Sequence, residues 1–491
     1  MPCPSTAEEP IELGNRRELL VDDFLIDKME NVRLELHRPQ RREVVFRTDA
    51  PWEGNGSAYQ SIFQDEDGFR MYYRGGHHPA SKAYESAKNS WETLCVAEST
   101  DGIHWTRPEL GIVEFNGSKQ NNLILDAAMV AEIGGSPAHT ATFKDTNPDC
   151  PADQLYKIVI VGSKPKGLYL LVSEDGFHFH LKSKTPLVTK GAFDSQNLIF
   201  WDAVHGVYRE YHRSFSGGVR GIMTAASPDL SPFPEPQWLE YPEAQEQALY
   251  TNQIQPYYRA PHILMGFPMR YNDRGWSASM KALPGLEERE YRAKQHPRYG
   301  TTVTDAAFMT SRDGKTFHRW GEAFIRPGPA QNDTWVYGDN FIFWGMLQTK
   351  SHLPGAADEI SLYATEGYWE GVGTSVRRYT LRQDGFVSAR AHFDGGQILT
   401  KPVTFTGSEL ELNFSTSAAG RIRVEIQDET GAPIEGYSLA DCAEVFGDSI
   451  ARPVVWKDNS NVQALAGKPV RLLFELKDAD LFAFRFREMA N

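Results

Sequence analysis

The sequence predicts an all-β protein, a five-bladed β-propeller followed by a C-terminal β-sandwich, and three observations carry that expectation. The first is a recurring turn: Ser99-Thr100-Asp101-Gly102-Ile103-His104-Trp105 returns as Ser173-Glu174-Asp175-Gly176-Phe177-His178-Phe179 and as Ser311-Arg312-Asp313-Gly314-Lys315-Thr316-Phe317. Looser copies stand at Ser227-Pro228-Asp229, ending at Phe233, and at Gln383-Asp384-Gly385-Phe386. In such a hairpin Asp folds its carboxylate onto nearby backbone N–H groups, Gly takes the φ > 0 position, and the aromatic packs back between sheets. The second is the beat of short alternating strands between the turns, roughly 70 to 90 residues per repeat, which is one four-stranded sheet per beat. The third is the end of that beat near residue 392, after which longer alternating strands follow.

Taken in order, residues 1–50 form an N-terminal segment expected to pack on the propeller, with strand-like ELLVDDFLID and VRLELHRP. The propeller is expected over 51–391. Blade one is SAYQSIFQ, the Asp65-Glu66-Asp67-Gly68 turn, FRMYYRG and TLCVAES; blade two is HTATFKD, LYKIVIVG and GLYLLVS. Blade three is QNLIFWD, GVYREYHRS and IMTAAS. Blade four is NQIQPYY, HILMGFPMRY and DAAFMTS, with the charged insertion LEEREYRAKQHPRYG, and blade five is NFIFWGMLQ, EISLYATEG and VRRYTLRQ. The sandwich is expected over 392–491, from GGQILTKPVTFTG, LELNFSTSA, RIRVEIQDETG, PVRLLFELKD and LFAFRFR. Sustained helical periodicity is hard to find anywhere.

Composition narrows the function classes. A chain of 491 residues holds two or three domains, or one large repeat domain with an appendage. The 11 Trp, 20 Tyr and 27 Phe favour strands and sugar-stacking surfaces over helix bundles. A formal net charge of −14 disfavours a nonspecific grip on nucleic acid. No stretch approaches the ~18 apolar residues of a membrane span. The first residues lack a basic segment followed by an apolar run. The expectation is a soluble protein, cytoplasmic as written, or secreted or periplasmic if a leader was removed. The oligomeric state is left open. Cys3, Cys95, Cys150 and Cys442 are scattered without metal-ligand or disulfide-framework spacing.

The Ser-x-Asp-Gly-x-x-aromatic turns, Phe143-Lys144-Asp145 with Pro148, and the strands after the fifth beat together resemble the five-bladed β-propeller glycoside hydrolases, the group of invertase-like and arabinanase-like enzymes with a C-terminal β-sandwich. Pro51-Trp52-Glu53-Gly54-Asn55-Gly56 stands where the invertase-like signature would fall, and Phe193-Asp194-Ser195-Gln196-Asn197 opens the third blade in place of that group's acid motif. The resemblance implies that acids of the first three blades act as base or nucleophile, as transition-state stabiliser and as general acid. Carried over by position, these are Glu53, Asp145 and Asp194.

The acids that the first strands offer are Glu53, Asp145, Asp194 and Asp339. First strands of propeller blades line the axis, and glycosidic cleavage needs two carboxyl groups facing the bond. Candidate sugar ligands are His77, His78, His139 and His262, Arg74 and Arg209, Asn252 and Gln253, Asp339, and Trp335, with Trp52, Trp201 and Trp369 as further stacking platforms. The Arg–Tyr alternation suits a sugar carrying a carboxylate or sulfate. No cofactor is required, no metal ligand set is assigned, and a structural or axial divalent cation such as calcium is an allowance only. The function expected is a glycoside hydrolase removing a terminal sugar from an oligo- or polysaccharide. A noncatalytic carbohydrate-binding propeller and a sialidase-like hydrolase remain as alternatives.

Overall fold

The computed structural model describes residues 9–66, 68–78, 81–86, 90–242 and 244–489, so Cys3 and Asp67 of the sequence reading lie outside the described residues. The chain divides into two compact units, one of residues 39–257 and 261–380, the other of residues 1–38, 258–260 and 381–491.

The first unit is a propeller of five four-stranded antiparallel sheets. Blade 1 is Ser61–Asp65, Gly68–Gly76, Glu92–Ser99 and Leu123–Asp126; blade 2 is Ser136–Lys144, Tyr156–Ser163, Lys166–Ser173 and His180–Leu181. Blade 3 is Leu198–Asp202, Val207–Ser216, Val219–Ser227 and Gln237–Trp238; blade 4 is Gln255–Tyr257, Ala260–Gly266, Met309–Ser311 and His318–Arg319. Blade 5 takes Leu347–Thr349, Glu359–Glu366 and Ser375–Arg382 from its own stretch, and its fourth strand is Gln40–Arg47, in the register Ser375↔Arg47 to Thr380↔Gln40. This divides the expected 1–50 segment. Its last part completes a blade, and the residues before 38 belong to the other unit. Blade 5 would otherwise expose an unpaired edge, and the N-terminal strand covers it.

The recurring turns form as the residues dictate. In each, the Asp Oδ1 accepts from the two N–H groups after the glycine: Ile103 and His104 at 2.8 Å, Phe177 and His178 at 2.8 and 2.9 Å, Lys315 and Thr316 at 2.8 and 2.7 Å. Gly102, Gly176 and Gly314 sit at φ of +75°, +79° and +80°, where a side chain is strained. The glycine carbonyls also accept from tyrosines in the second strand of the preceding blade: Tyr363 to Gly102, Tyr72 to Gly176 and Tyr211 to Gly314, at 2.7–2.9 Å. The turn therefore follows the third strand of its blade and ties that blade to its neighbour. The copy at Asp384 also follows a third strand, Ser375–Arg382 of blade 5, but it lies in the other unit, where the buried Asp384 pairs with Arg17 at 3.4 Å.

The charged insertion of blade 4 is helical where no helix was expected. Ala278–Lys281, Leu286–Gln295 and Pro297–Thr301 lie between the paired strands Met269–Asp273 and Thr302–Ala306. Glu287 and Glu288 in the first turn and Arg292 and Lys294 in the last complement the helix dipole. The helix carries its buried side on guanidinium groups, which apolar periodicity does not register: Arg289 donates to the carbonyls of Trp335 and Thr334, Arg292 to that of Tyr368.

The second unit is built on two long strands, Glu409–Gln427 and Arg471–Arg487, which pair along their length with a register break between Thr416 and Arg421. The half Arg471–Leu476 also pairs with Gly396–Thr400, and that strand with Ile26–Glu30. The other half pairs with Val387–Ala391, and that strand with Val32–Leu36. The two halves of Arg471–Arg487 face each other through Phe474 and Phe484, ring centroids 5.5 Å apart, inside one apolar core. The expected boundary at 392 moves to 381, and the N-terminal strands join this unit.

Candidate funnel site

In a blade the first strand starts, and the second strand ends, at the same end of the hairpin. Residues flanking those two positions in all five blades therefore converge. From blade 1 come Tyr59, Arg74 and His78; from blade 2, His139; from blade 3, Asp194 and Arg213; from blade 4, Tyr250 and Tyr271; from blade 5, Tyr337, Tyr368 and Trp369. The contacts tie them together. The hydroxyls of Tyr59 and Tyr250 are 3.0 Å apart. The Tyr59 ring lies 5.6 Å from His139 and 5.7 Å from Phe341. Tyr337 packs on Trp369 at 5.0 Å, and His78 stacks on Trp369 at 3.7 Å. The helical insertion contributes Tyr299, 5.1 Å from Trp369.

Charge in this cluster is uneven. Arg213, 1% exposed, pairs with Asp194, whose side chain is 73% exposed, and lies 5.0 Å from the Tyr250 ring. Arg220 stacks on Tyr271 at 4.1 Å. Arg74, 9% exposed, makes no ion pair among the described residues, and its Nε has no hydrogen-bond partner. Burial lowers the pKa of His139 to about 3, with the charges of Arg74 and Arg213 adding to the effect, so the imidazole is neutral at ordinary pH. Burial, then Arg74 and Arg292, lowers His78 to about 4. Burial and the neighbouring phenols hold Tyr59 well above the usual phenol range, so it is a neutral donor and acceptor.

The sequence-predicted acids do not meet here. Glu53 is fully buried, accepting from Arg107 Nε at 2.8 Å, the Tyr73 hydroxyl at 2.5 Å and the Ala50 N–H at 2.9 Å. Asp145 follows the far end of the first strand of blade 2, where Lys157 and the Tyr208 hydroxyl each reach it at 2.7 Å. Both carboxylates are saturated by structural partners and sealed from a sugar. Asp194 alone of the three stands at the funnel.

The proposed ligands divide in the same way. Arg74, His78 and His139 belong to the cluster. His77 is buried between Tyr84 and Trp91, at 4.6 and 4.4 Å. Arg209 starts the second strand of blade 3 and pairs with Asp202 at 2.5 Å, and His262 sits at the corresponding far end of blade 4. Asn252 and Gln253 are buried below the cluster; Gln253 donates to Gln196, which donates in turn to the Tyr59 carbonyl at 2.9 Å. Asp339 is 2% exposed, accepts from the Tyr368 N–H at 3.1 Å, and burial raises its pKa well above the carboxylate range. Trp335 lines a separate cleft of about 550 Å³ with Arg270, Arg274 and Met280. Trp52 donates to Asn122 and Trp201 packs on Tyr208, both as structural residues. Among the described residues no group of three or more His, Cys, Asp or Glu side chains gathers as a metal site, and Cys95, Cys150 and Cys442 are free thiols.

Reading first strands alone missed Tyr250, Tyr337 and Tyr368, while Arg213 and Tyr271 entered the sequence reading only as members of the Arg–Tyr alternation. The signal that finds most of them was present: the residues after each second strand share an end with those before the first.

The fold and site define a five-bladed β-propeller, with a second unit of strands, whose funnel is lined by aromatic and arginine residues. No protein-family profile matches the chain, and no curated protein matches it in sequence. Among solved structures it is similar to an N-acetylgalactosamine deacetylase from F. plautii crystallised with blood group B trisaccharide, at 11% identity over 71% of this chain and 96% of that one, TM-score 0.42. It is similar to a putative glycoside hydrolase from Parabacteroides distasonis, at 13% identity over 74% and 96%, TM-score 0.39. A GH32 β-fructofuranosidase from Bombyx mori aligns at 11% identity over 92% and 95%, TM-score 0.41.

Proposed function

We propose that the chain is a glycosidase that takes the end of an oligo- or polysaccharide into the propeller funnel and cleaves a terminal sugar there. The observation that carries this reading is the convergence of Asp194, Arg213, Tyr59, Tyr250 and His139, from four blades, on one aromatic-walled end of the propeller. Aromatic faces suit sugar rings, and the polar groups among them suit hydroxyls. As an ion-paired carboxylate at the funnel, Asp194 suits the base or nucleophile, in place of Glu53. The hydroxyls of Tyr59 and Tyr250, 3.0 Å apart, are the hydroxyl groups of the funnel from which a proton donor would be drawn.

A second reading, a noncatalytic glycan-binding propeller, is favoured by one observation: Glu53 and Asp145 are sealed in ion pairs, so the funnel lacks a pair of carboxyl groups drawn from those blades. Hydrolysis of a panel of aryl α- and β-glycosides, including furanosides and anionic sugars, by wild type and Asp194→Asn separates the two. Turnover of one member that falls about 100-fold or more in the variant, with unchanged melting, supports the glycosidase. No turnover, together with saturable binding on a glycan array that survives the substitution, leaves the binding propeller.

A further inference from the structure

We infer that the funnel selects an anionic sugar residue, a uronate or a sulfated sugar, whose acidic group is received by Arg74 and Arg213. The inference rests on the glycan-directed reading of the funnel and adds the substrate class.

The argument starts from what burial demands. A guanidinium withdrawn from water is retained only where a partner compensates it. Other buried arginines of this propeller meet it, Arg289 and Arg319 with carbonyl and amide oxygens and several more with carboxylates. Arg209 has Asp202 at 2.5 Å, Arg378 has Glu43 at 3.0 Å and Glu359 at 3.2 Å, and Arg377 has Glu366 at 2.8 Å. Arg74 breaks it. Its residue is 9% exposed and its Nε is unpartnered. Burial lowers its pKa, but Tyr368, then Glu92, Tyr59 and Tyr250 outweigh that and raise it. Glu92 makes no ion pair with it among the described residues and accepts from the Ser136 hydroxyl at 2.9 Å. Arg213 repeats the pattern in part: its Nη2 is shared between Asp194 and the Ala192 carbonyl, and its Nε is unpartnered. The charges of both arginines lower the pKa of His139, behind the larger effect of burial.

Two further guanidiniums lean on the same aromatic wall, Arg220 4.1 Å and Arg298 5.7 Å from the centroid of Tyr271. A chain with a formal charge of −14 thus concentrates cations where its ligand would enter. Four guanidinium groups against the one exposed carboxylate of Asp194 leave a net positive field for an incoming anion. Fork-shaped donors match the two or three oxygens of a carboxylate or sulfate, and the tyrosines supply faces for the pyranose.

The test is calorimetric titration of the full chain with methyl β-glucuronide, methyl β-galacturonide, glucose 6-sulfate, methyl β-glucoside and inorganic sulfate, for wild type, Arg74→Met and Arg74→Lys. At least one anionic sugar is expected to bind tenfold or more tighter than the neutral glucoside and than sulfate alone, and the uronide and sulfate arms show which acid the site takes. Arg74→Met is expected to weaken that sugar about 10- to 100-fold, with Arg74→Lys between the two. The melting temperature of Arg74→Met without ligand is expected to stay within a few degrees of wild type, because no ion pair of the described residues is broken. Equal or tighter binding of the neutral glucoside, equal binding of inorganic sulfate, or unchanged anionic-sugar binding in a folded Arg74→Met overturns the inference. Absence of hydrolysis with anionic-sugar binding retained overturns the glycosidase reading and leaves this one standing.

Discussion

Two buried cations, Lys157 in blade 2 and Arg74 at the funnel, are both withdrawn from water and are treated in opposite ways. Lys157, 1% exposed, has the Asp145 carboxylate at 2.7 Å and the Gln154 carbonyl beside it. Arg74 has phenols around it and no ion pair among the described residues. The first arrangement closes on itself and contributes to the fold. The second is incomplete without something the chain does not supply. In this protein an ionisable group fully satisfied by its neighbours marks architecture, and one left open at the converging ends of the blades marks the place to look for a ligand.

The strongest way to break that comparison is to remove Asp145. Asp145→Ala leaves Lys157 buried without its counter-charge, and the expected loss is about 3–5 kcal/mol of stability, read as a lowered urea midpoint. A variant that stays as stable as wild type but loses turnover would instead return Asp145 to the chemistry. Glu53→Gln is expected to cost less, about 2–3 kcal/mol, because its partner Arg107 is 29% exposed and regains water. Its kcat per folded molecule is expected to hold. A fall of a thousandfold with unchanged melting would make Glu53 the base after all.

A pH titration sharpens the funnel side. His139 titrates near 3 in the fold and near 6.5 in the unfolded chain, so between those values the unfolded state binds the extra proton. Stability from this group is therefore present above about pH 6.5 and lost as pH falls toward 3. His139→Gln should flatten the decline in urea midpoint between about pH 7 and pH 4.5 relative to wild type. An unchanged slope would mean that the ring is already solvated. The smallest effect is expected at the turns. Asp175→Asn keeps an acceptor for Phe177 and His178 and should cost about 1 kcal/mol or less by thermal melting.

Much of this architecture was legible in the chain. The Ser-x-Asp-Gly turns work through hydrogen bonds that reach two or three residues along, so Asp101, Asp175 and Asp313 could be assigned without knowing what lay around them. Alternation and turn spacing then set four strands to a blade, and local pattern suffices because each strand's two faces are written in its own residues. The helix at Leu286–Gln295 escaped notice because Arg289 and Arg292, not apolar residues, fill its buried side.

What only the tertiary structure decided is which charged groups are satisfied. Glu53 is neutralised by Arg107, 54 positions away, and Asp145, neutralised by Lys157, also accepts from a tyrosine 63 positions away. The fourth strand of blade 5 comes from the other end of the chain. Burial and charge compensation are properties of a neighbourhood, and in a closed ring of sheets the neighbours are set by distant segments. The sequence could name the acids and arginines of this protein. Only the closed propeller sorts Glu53 and Asp145 into its walls and leaves Asp194, Arg213 and Arg74 at its mouth.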